Sequence, residues 1–312
     1  DKEALKTMPI RIPDSLPATA TLESENIFVM TEYRALHQDI RPLNLLILNL
    51  MPTKIVTETQ FLRKLSNTPL QIRVELLQTA SYQSTHTDAS HLDSFYTTFD
   101  QIKDKTYDGM IITGAPLAFV PWEEVEYWDE LCRIMDWTTT HVHSTMHVCW
   151  GAFAGLYYHY GVPKVLRDKK LFGVYPHSAV PAKKQSPLFR GLDDVFYVPQ
   201  SREIELRETD ILKVPELELM ATSPEAGVFA VKSKDNRRFF LTGHGEYDAD
   251  TLANEYWRDK NKGLDIDLPE HYFPNDDPTQ PPVVNWRSAG QLIYNNWLNY
   301  YVYQTTPYDL NK

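Results

Sequence analysis

Short apolar runs and stretches of helical spacing take turns along the first half of the chain. Leu43-Asn44-Leu45-Leu46-Ile47-Leu48-Asn49-Leu50 reads as a strand that empties into the loop Met51-Pro52-Thr53-Lys54. Residues 57–65 then space their apolar positions for a helix, residues 72–77 alternate as a second strand, and residues 94–102 read as helical. Gly109-Met110-Ile111-Ile112-Thr113 is a buried strand broken by Gly114-Ala115-Pro116. Residues 123–137 predict an amphipathic helix, and an extended segment then runs up to Cys149 and turns into a helix to about Tyr160. Upstream, residues 8–17 are proline-punctuated and read as a surface wrap, and residues 23–30 end in an apolar run that suits a short strand.

Strand and helix alternating in this way predict an α/β fold, a doubly wound and mostly parallel sheet with helices on both faces. Ligands of such sheets sit beyond the C-terminal ends of the strands. Lys54, Ala115 and Cys149 each follow a strand, so they are expected at one edge. The second half is less regular. Residues 195–198 and 217–221 look like strands, and residues 227–232 and 238–242 read as a hairpin around Lys234-Asp235-Asn236. Residues 269–282 form a proline- and aspartate-rich loop too long for a mere connection. Residues 286–303 predict a helix whose Trp297, Tyr300, Tyr301 and Tyr303 suit a core or dimer surface better than base stacking. No repeat or composition break divides the chain, so residues 1–312 read as a single domain, with 1–7 an extension or tag remnant.

Charge narrows the function. The formal net charge of -11 argues against nucleic acid as the main partner and against a basic membrane-binding patch. No apolar run approaches the roughly 20 residues of a membrane span, and residues 1–7 lack an apolar signal region. With only Cys132 and Cys149, a disulfide framework is not expected and a reducing cytoplasm is the natural setting.

The chemistry centres on Thr145-Met146-His147-Val148-Cys149-Trp150-Gly151-Ala152-Phe153-Ala154-Gly155. A strand that stops at a nucleophile and turns at once into a helix is a nucleophile elbow. The turn lifts the thiol clear of the sheet, and the helix N-terminus can hold an oxyanion and favour a thiolate. The bland reading is a buried core cysteine. A thiol nucleophile needs a base and the base an orienting carboxylate. Thr242-Gly243-His244-Gly245-Glu246-Tyr247, released from the hairpin, supplies both, although a loop histidine beside a carboxylate is often an ordinary surface pair. His141, His143 and His147 alternate along one strand face but lack a second ligand cluster, so packing is expected and no metal. No dinucleotide fingerprint or phosphate loop is present, and no permanently bound cofactor is expected.

Taken together the chain resembles the homoserine O-acyltransferases, the transsuccinylases and transacetylases that open methionine synthesis. The likeness runs from Met8-Pro9-Ile10 to Pro307-Tyr308. It rests on Glu25-Asn26-Ile27-Phe28-Val29-Met30, Leu48-Asn49-Leu50-Met51-Pro52-Thr53-Lys54, Ile112-Thr113-Gly114-Ala115-Pro116, His147-Val148-Cys149-Trp150-Gly151, Gly243-His244-Gly245-Glu246-Tyr247 and Asn296-Trp297-Leu298-Asn299-Tyr300-Tyr301-Val302-Tyr303. The resemblance implies a class I glutamine amidotransferase-like (flavodoxin-like) fold, a homodimer, and small-molecule substrates. It implies that acetyl-CoA or succinyl-CoA, as co-substrate, acylates Cys149 and that the acyl group passes to an amino acid's hydroxyl. It makes His244 the proton shuttle and Glu246 its partner, puts Lys54 near the acyl carbonyl, and makes the Trp150 N–H an oxyanion donor. Lys170, Ser201 and Arg258 match positions that hold the amino acid; a guanidinium fork suits a carboxylate. Three positions depart from the family pattern: Gln200 and Ala289 each stand where histidine is usual, and Pro176 stands where glutamate is usual. Gln200 and Pro176, close in sequence to the amino-acid positions, keep L-serine beside L-homoserine as acceptor. Ala118 stands where glycine accompanies succinyl users and glutamate acetyl users; its methyl narrows the pocket and favours acetyl. A glutaminase-like hydrolase is a rival, against which His147 counts, because amidotransferase elbows usually carry glycine two residues before the cysteine. A non-catalytic amino-acid-binding regulator is another, against which the intact Cys149, His244 and Glu246 count.

Overall fold

The computed structural model describes residues 42–81 and 86–307, together with the backbone of 11–12 and 30–31. Two two-residue strands, β1 (Arg11–Ile12) and β2 (Met30–Thr31), pair in parallel. The rest of residues 1–41, including most of the expected surface wrap and of the strand over 23–30, lies outside the described residues.

Ten further strands form one sheet. In chain order they are β3 (Leu43–Leu48), β4 (Ile72–Leu77), β5 (Tyr96–Thr97), β6 (Tyr107–Ile112), β7 (Val142–Val148), β8 (Val165–Ala179), β9 (Phe196–Glu205), β10 (Leu217–Ser223), β11 (Gly227–Ser233) and β12 (Arg238–Leu241). Their spatial order is β5-β4-β3-β6-β7-β12-β11-β10-β8-β9. Every pairing from β5 to β12 is parallel, and every pairing from β12 to β9 is antiparallel. The helices are α1 (Lys54–Leu65), α2 (Ala89–Phe95), α3 (Phe99–Ile102), α4 (Trp128–His141), α5 (Trp150–Tyr160), α6 (Glu208–Leu212), α7 (Thr251–Asn261) and α8 (Arg287–Asn296). β6 is buried along its whole length, as a parallel strand covered on both faces must be. One apolar cluster packs Leu46, Ile112, Leu131, Phe153 and Phe240; a second packs Ile47, Phe61, Met146, Phe239 and Trp297. No helix among the described residues is long and apolar enough to cross a membrane.

The structure corrects several expectations. Residues 94–102 are not one helix. Tyr96–Thr97 pairs with β4 at Leu76 and Leu77, because Tyr96 is drawn inward by hydrogen bonds with Asn49 (2.9 Å) and Glu58 (2.5 Å). Thr98 and Gln101 then form a capping box that starts α3. The helix expected over 123–137 begins at Trp128, since Val125 is extended (φ -68°, ψ 123°), and it runs on to His141. His141 therefore belongs to a helix, stacked on Trp137 at 5.3 Å, and does not share a strand face with His143 and His147. His143 bonds Thr305 (2.8 Å), while buried His147 bonds the Gly151 carbonyl (3.2 Å) and stacks on Phe240. The aromatic helix of 286–303 is α8 followed by a π-helical stretch, Trp297–Tyr303, buried through Trp297 and Tyr301.

Candidate active site

β7 ends at Val148 and α5 begins at Trp150, so one residue makes the whole turn. Cys149 stands there with φ 49° and ψ -122°, a conformation that costs energy for any residue with a Cβ. Its own N–H is fixed to the Leu241 carbonyl of β12 (2.7 Å). Its carbonyl accepts the first helical bonds, from Ala152 (2.8 Å) and Phe153 (3.2 Å). The Trp150 N–H precedes those bonds, at the positive end of the helix. The strained turn, the helix start and the adjacent strand together are a nucleophile elbow.

The base arrives from the neighbouring strand. β12 releases the chain at Leu241, and Gly243-His244-Gly245 crosses between β9 and α8. The His244 N–H donates to the Pro199 carbonyl of β9 (2.8 Å). His244 Nδ1 bonds Glu246 Oε1 at 2.7 Å, and the other carboxylate oxygen accepts from the Tyr294 hydroxyl of α8 at 3.5 Å. The imidazole stacks flat on Tyr247, with ring centroids 4.1 Å apart. Burial works against a charge on His244. Negative charge at Cys149 and at Glu246, each hydrogen-bonded to the ring, outweighs it and pushes the pKa up to about 10. An imidazole held this way can carry a proton for a leaving thiolate and take one from an incoming hydroxyl.

Cys149 opens into a cavity of about 220 Å³. Trp150, Ala118, Lys170, Ser201, Arg258 and His244 all line it, so the structure brings together most of the residues singled out in the sequence. Glu246 lies behind His244 and lines a second cavity of about 270 Å³. Lys54 is the residue not brought to either cavity wall. Its ammonium is buried and donates to the Asn49 (2.5 Å) and Met51 (3.2 Å) carbonyls. Burial lowers its pKa to about 8, against the pull of Glu58. Met51, which does line both cavities, is held through that contact.

Three residues escaped the sequence reading. Glu255 is the point where Lys170 (2.5 Å), Ser201 (2.8 Å) and Arg258 (4.0 Å) converge. Its signal in the sequence was its place three residues before Arg258, one helical turn away. Arg202 is buried in the cavity wall, bonded to the Gln200 side chain (3.1 Å) and to the Ile204 and Ala226 carbonyls (2.6 Å each). Burial lowers its pKa to about 10, and negative charge at Cys149 opposes that. Gly114 faces the nucleophile: a Cβ there would lie 3.3 Å from the Cys149 Cβ and 3.7 Å from the Trp150 nitrogen. Gln200 and Pro176 are not themselves on the cavity wall; Gln200 lies behind it, holding Arg202 and bonded to His177 (3.2 Å).

The family model of homoserine O-succinyltransferase matches residues 9–308. The chain belongs to the homoserine O-succinyltransferase family. Members of that family are acyltransferases, and so is this enzyme. It is 56% identical over 305 residues to a homoserine O-acetyltransferase of Acetivibrio thermocellus, covering 98% of this chain and 99% of that one. It is 57% identical over 302 residues to a homoserine O-acetyltransferase of Clostridium novyi, covering 97% and 99%. Among solved structures, a glutamine amidotransferase from Thermotoga maritima superposes with a TM-score of 0.54 at 13% identity, over 84% of this chain and 99% of that one. One from Methylobacillus flagellatus gives a TM-score of 0.51 at 13% identity, over 83% and 95%. At such identity the likeness speaks for the fold, which is the class I glutamine amidotransferase fold expected from the sequence.

Proposed function

We propose that the enzyme transfers an acetyl group from acetyl-CoA to the hydroxyl of L-homoserine through a thioester on Cys149. The observation that carries this reading is that the elbow cysteine, His244 with Glu246 bonded behind it, and a set of opposed charges meet at one small cavity, which Cys149, His244, Lys170, Glu255 and Arg258 line. Glu255 and Arg258 present a carboxylate and a guanidinium on the same wall, which matches the ammonium and carboxylate of an α-amino acid. In the first half-reaction the Cys149 sulfur attacks the donor's thioester carbonyl, with the Trp150 N–H facing the developing oxyanion. The carbon–sulfur bond to CoA breaks, and His244 gives its proton to the departing thiolate. In the second, His244 takes the acceptor's hydroxyl proton, that oxygen attacks the acyl carbon, and the bond to Cys149 breaks.

Acetyl is favoured over succinyl because Ala118 narrows the cavity and because the relatives quoted above are named acetyltransferases. The same names favour homoserine. L-Serine is the second reading, supported by Gln200, which holds Arg202 in the cavity wall where the family usually carries histidine. Steady-state rates with acetyl-CoA and succinyl-CoA against both amino acids test the reading. The acetyl-CoA and homoserine pair should give the highest kcat/KM, and one methylene in the acceptor should separate the amino acids by about 1–3 kcal/mol. A higher kcat/KM for serine, or for succinyl-CoA, would overturn that choice of substrates.

A further inference from the structure

The elbow turns in a single residue, so whatever holds the first turn of α5 also holds the Cys149 sulfur and the Trp150 N–H. We propose that His147 is the positioning residue that locks this turn onto the sheet, a proposal that rests on the thioester reading above. His147 lies on β7 two residues before Cys149, between Ile112 of β6 and Phe240 of β12. Its ring is fully buried, stacks on Phe240 with centroids 4.9 Å apart, and lies against α5 where Gly155 has no side chain. A Cβ at 155 would stand 2.6 Å from His147 Nδ1, so glycine there lets the helix settle on the imidazole. Gly151 approaches the Thr113 and Ile112 carbonyls at the end of β6 in the same way, where a Cβ would stand 2.5 and 2.9 Å from them. The helix therefore lies close against both strands at these two glycines, and His147 Nδ1 bonds the Gly151 carbonyl (3.2 Å).

Burial, with His159 and Arg238 nearby, pushes the pKa of His147 well below the ordinary imidazole value, so the ring is neutral and carries one N–H. A carbonyl only accepts, so that N–H is on Nδ1 and donates to Gly151. Nε2 is then a bare acceptor, buried and without a hydrogen-bond partner among the described residues. A leucine or methionine would fill the slot without stranding a polar atom. Packing alone therefore argues against histidine, and what the imidazole adds is the bond to the first turn. The peptide group that accepts this bond also donates, through the Ala152 N–H, to the Cys149 carbonyl (2.8 Å). His147 thus grips the nucleophile's own turn at one remove, and the two bonds polarise each other through the shared peptide.

Two variants separate positioning from packing. His147→Leu keeps an apolar filling and removes the donor, whereas His147→Asn keeps a donor where Nδ1 stands but leaves part of the slot empty. His147→Leu should melt no lower than the unaltered protein yet lose about tenfold to a hundredfold in kcat, the scale of displacing reacting groups by up to about 1 Å. The KM for each substrate should stay within about twofold, since binding is not what the turn controls. Formation of the Cys149 adduct from acetyl-CoA alone should slow in step with kcat. His147→Asn should melt lower, because of the space it leaves, but keep kcat within about threefold. His147→Met, whose flexible chain adapts to the slot, takes the place of the leucine variant if that one does not fold. An apolar variant with unchanged kcat, an asparagine variant as slow as the apolar one, or activity that simply follows the melting temperature overturns the positioning role. Absence of a Cys149 adduct in the unaltered protein overturns the thioester reading, and the positioning role with it.

Discussion

A methyl group at position 114 would touch the Cys149 side chain and stand 3.7 Å from the Trp150 nitrogen, beside the oxyanion position proposed above. Only the 3.3 Å approach to the Cys149 Cβ is tight, and the 3.7 and 3.8 Å approaches, to the Trp150 nitrogen and the Cys149 sulfur, are ordinary contacts, so the alanine variant should fold. Gly114→Ala is expected to lose about a hundredfold in kcat, the usual size of a damaged oxyanion site, with little change in melting temperature. Rates measured beside a thermal melt check this; full activity would show that the oxyanion lies elsewhere. At this scale the sequence was most legible where chemistry demands a residue type. Cys149, His244 and Glu246 could be named from an elbow and a Gly-His-Gly-Glu release, and the structure brings them into one hydrogen-bonded set. Glu255 was not legible, because a glutamate on a helix surface looks like any solvated charge until Lys170 and Ser201 converge on it from two strands distant in sequence.

The loop that carries His244 and Glu246 is shaped by the element it lies against. On α8, Gly290 approaches Gly245 so closely that a Cβ at 290 would lie 2.3 Å from the Gly245 carbonyl oxygen. One turn later Tyr294 reaches Glu246. The helix thus sets the height of the loop and steadies its carboxylate. Gly290→Ala should force the two apart, costing about 1–3 kcal/mol of stability by overpacking. It should also lower kcat, which denaturant melts and rates on the same samples would show; a variant with unchanged kcat would mean that the loop tolerates the shift. Elements missed in the sequence share a cause. α7 buries only Leu252 and Tyr256, too little apolar surface for a periodic signal. β8 is broken by a register shift between Leu166 and Leu171, and Arg167-Asp168-Lys169-Lys170 interrupts its alternation. These two elements supply Lys170, Glu255 and Arg258 to the wall of the cavity around Cys149.

Across the whole molecule, the parallel and antiparallel parts of the sheet divide the work. The parallel part positions Cys149 and, through β12, His244; the antiparallel β8 and β9, with α7, position Lys170, Ser201, Glu255 and Arg258. The parallel part was readable as alternating strand and helix, and so was the β11–β12 hairpin, whereas the pairings of β8 with β9 and with β10 join segments distant in sequence that no local pattern reveals. Such a division predicts that the two half-reactions separate. Glu255→Gln should raise the amino-acid KM by about tenfold to a hundredfold, the loss expected for a charged hydrogen bond, and leave thioester formation intact. The most direct test of the central claim is intact-protein mass spectrometry after mixing with acetyl-CoA alone. The account predicts an acetyl adduct in the unaltered protein and in Glu255→Gln, none in Cys149→Ala, and discharge of the adduct when L-homoserine is added. An unmodified Cys149 at all times, with activity that requires both substrates bound together, would contradict it.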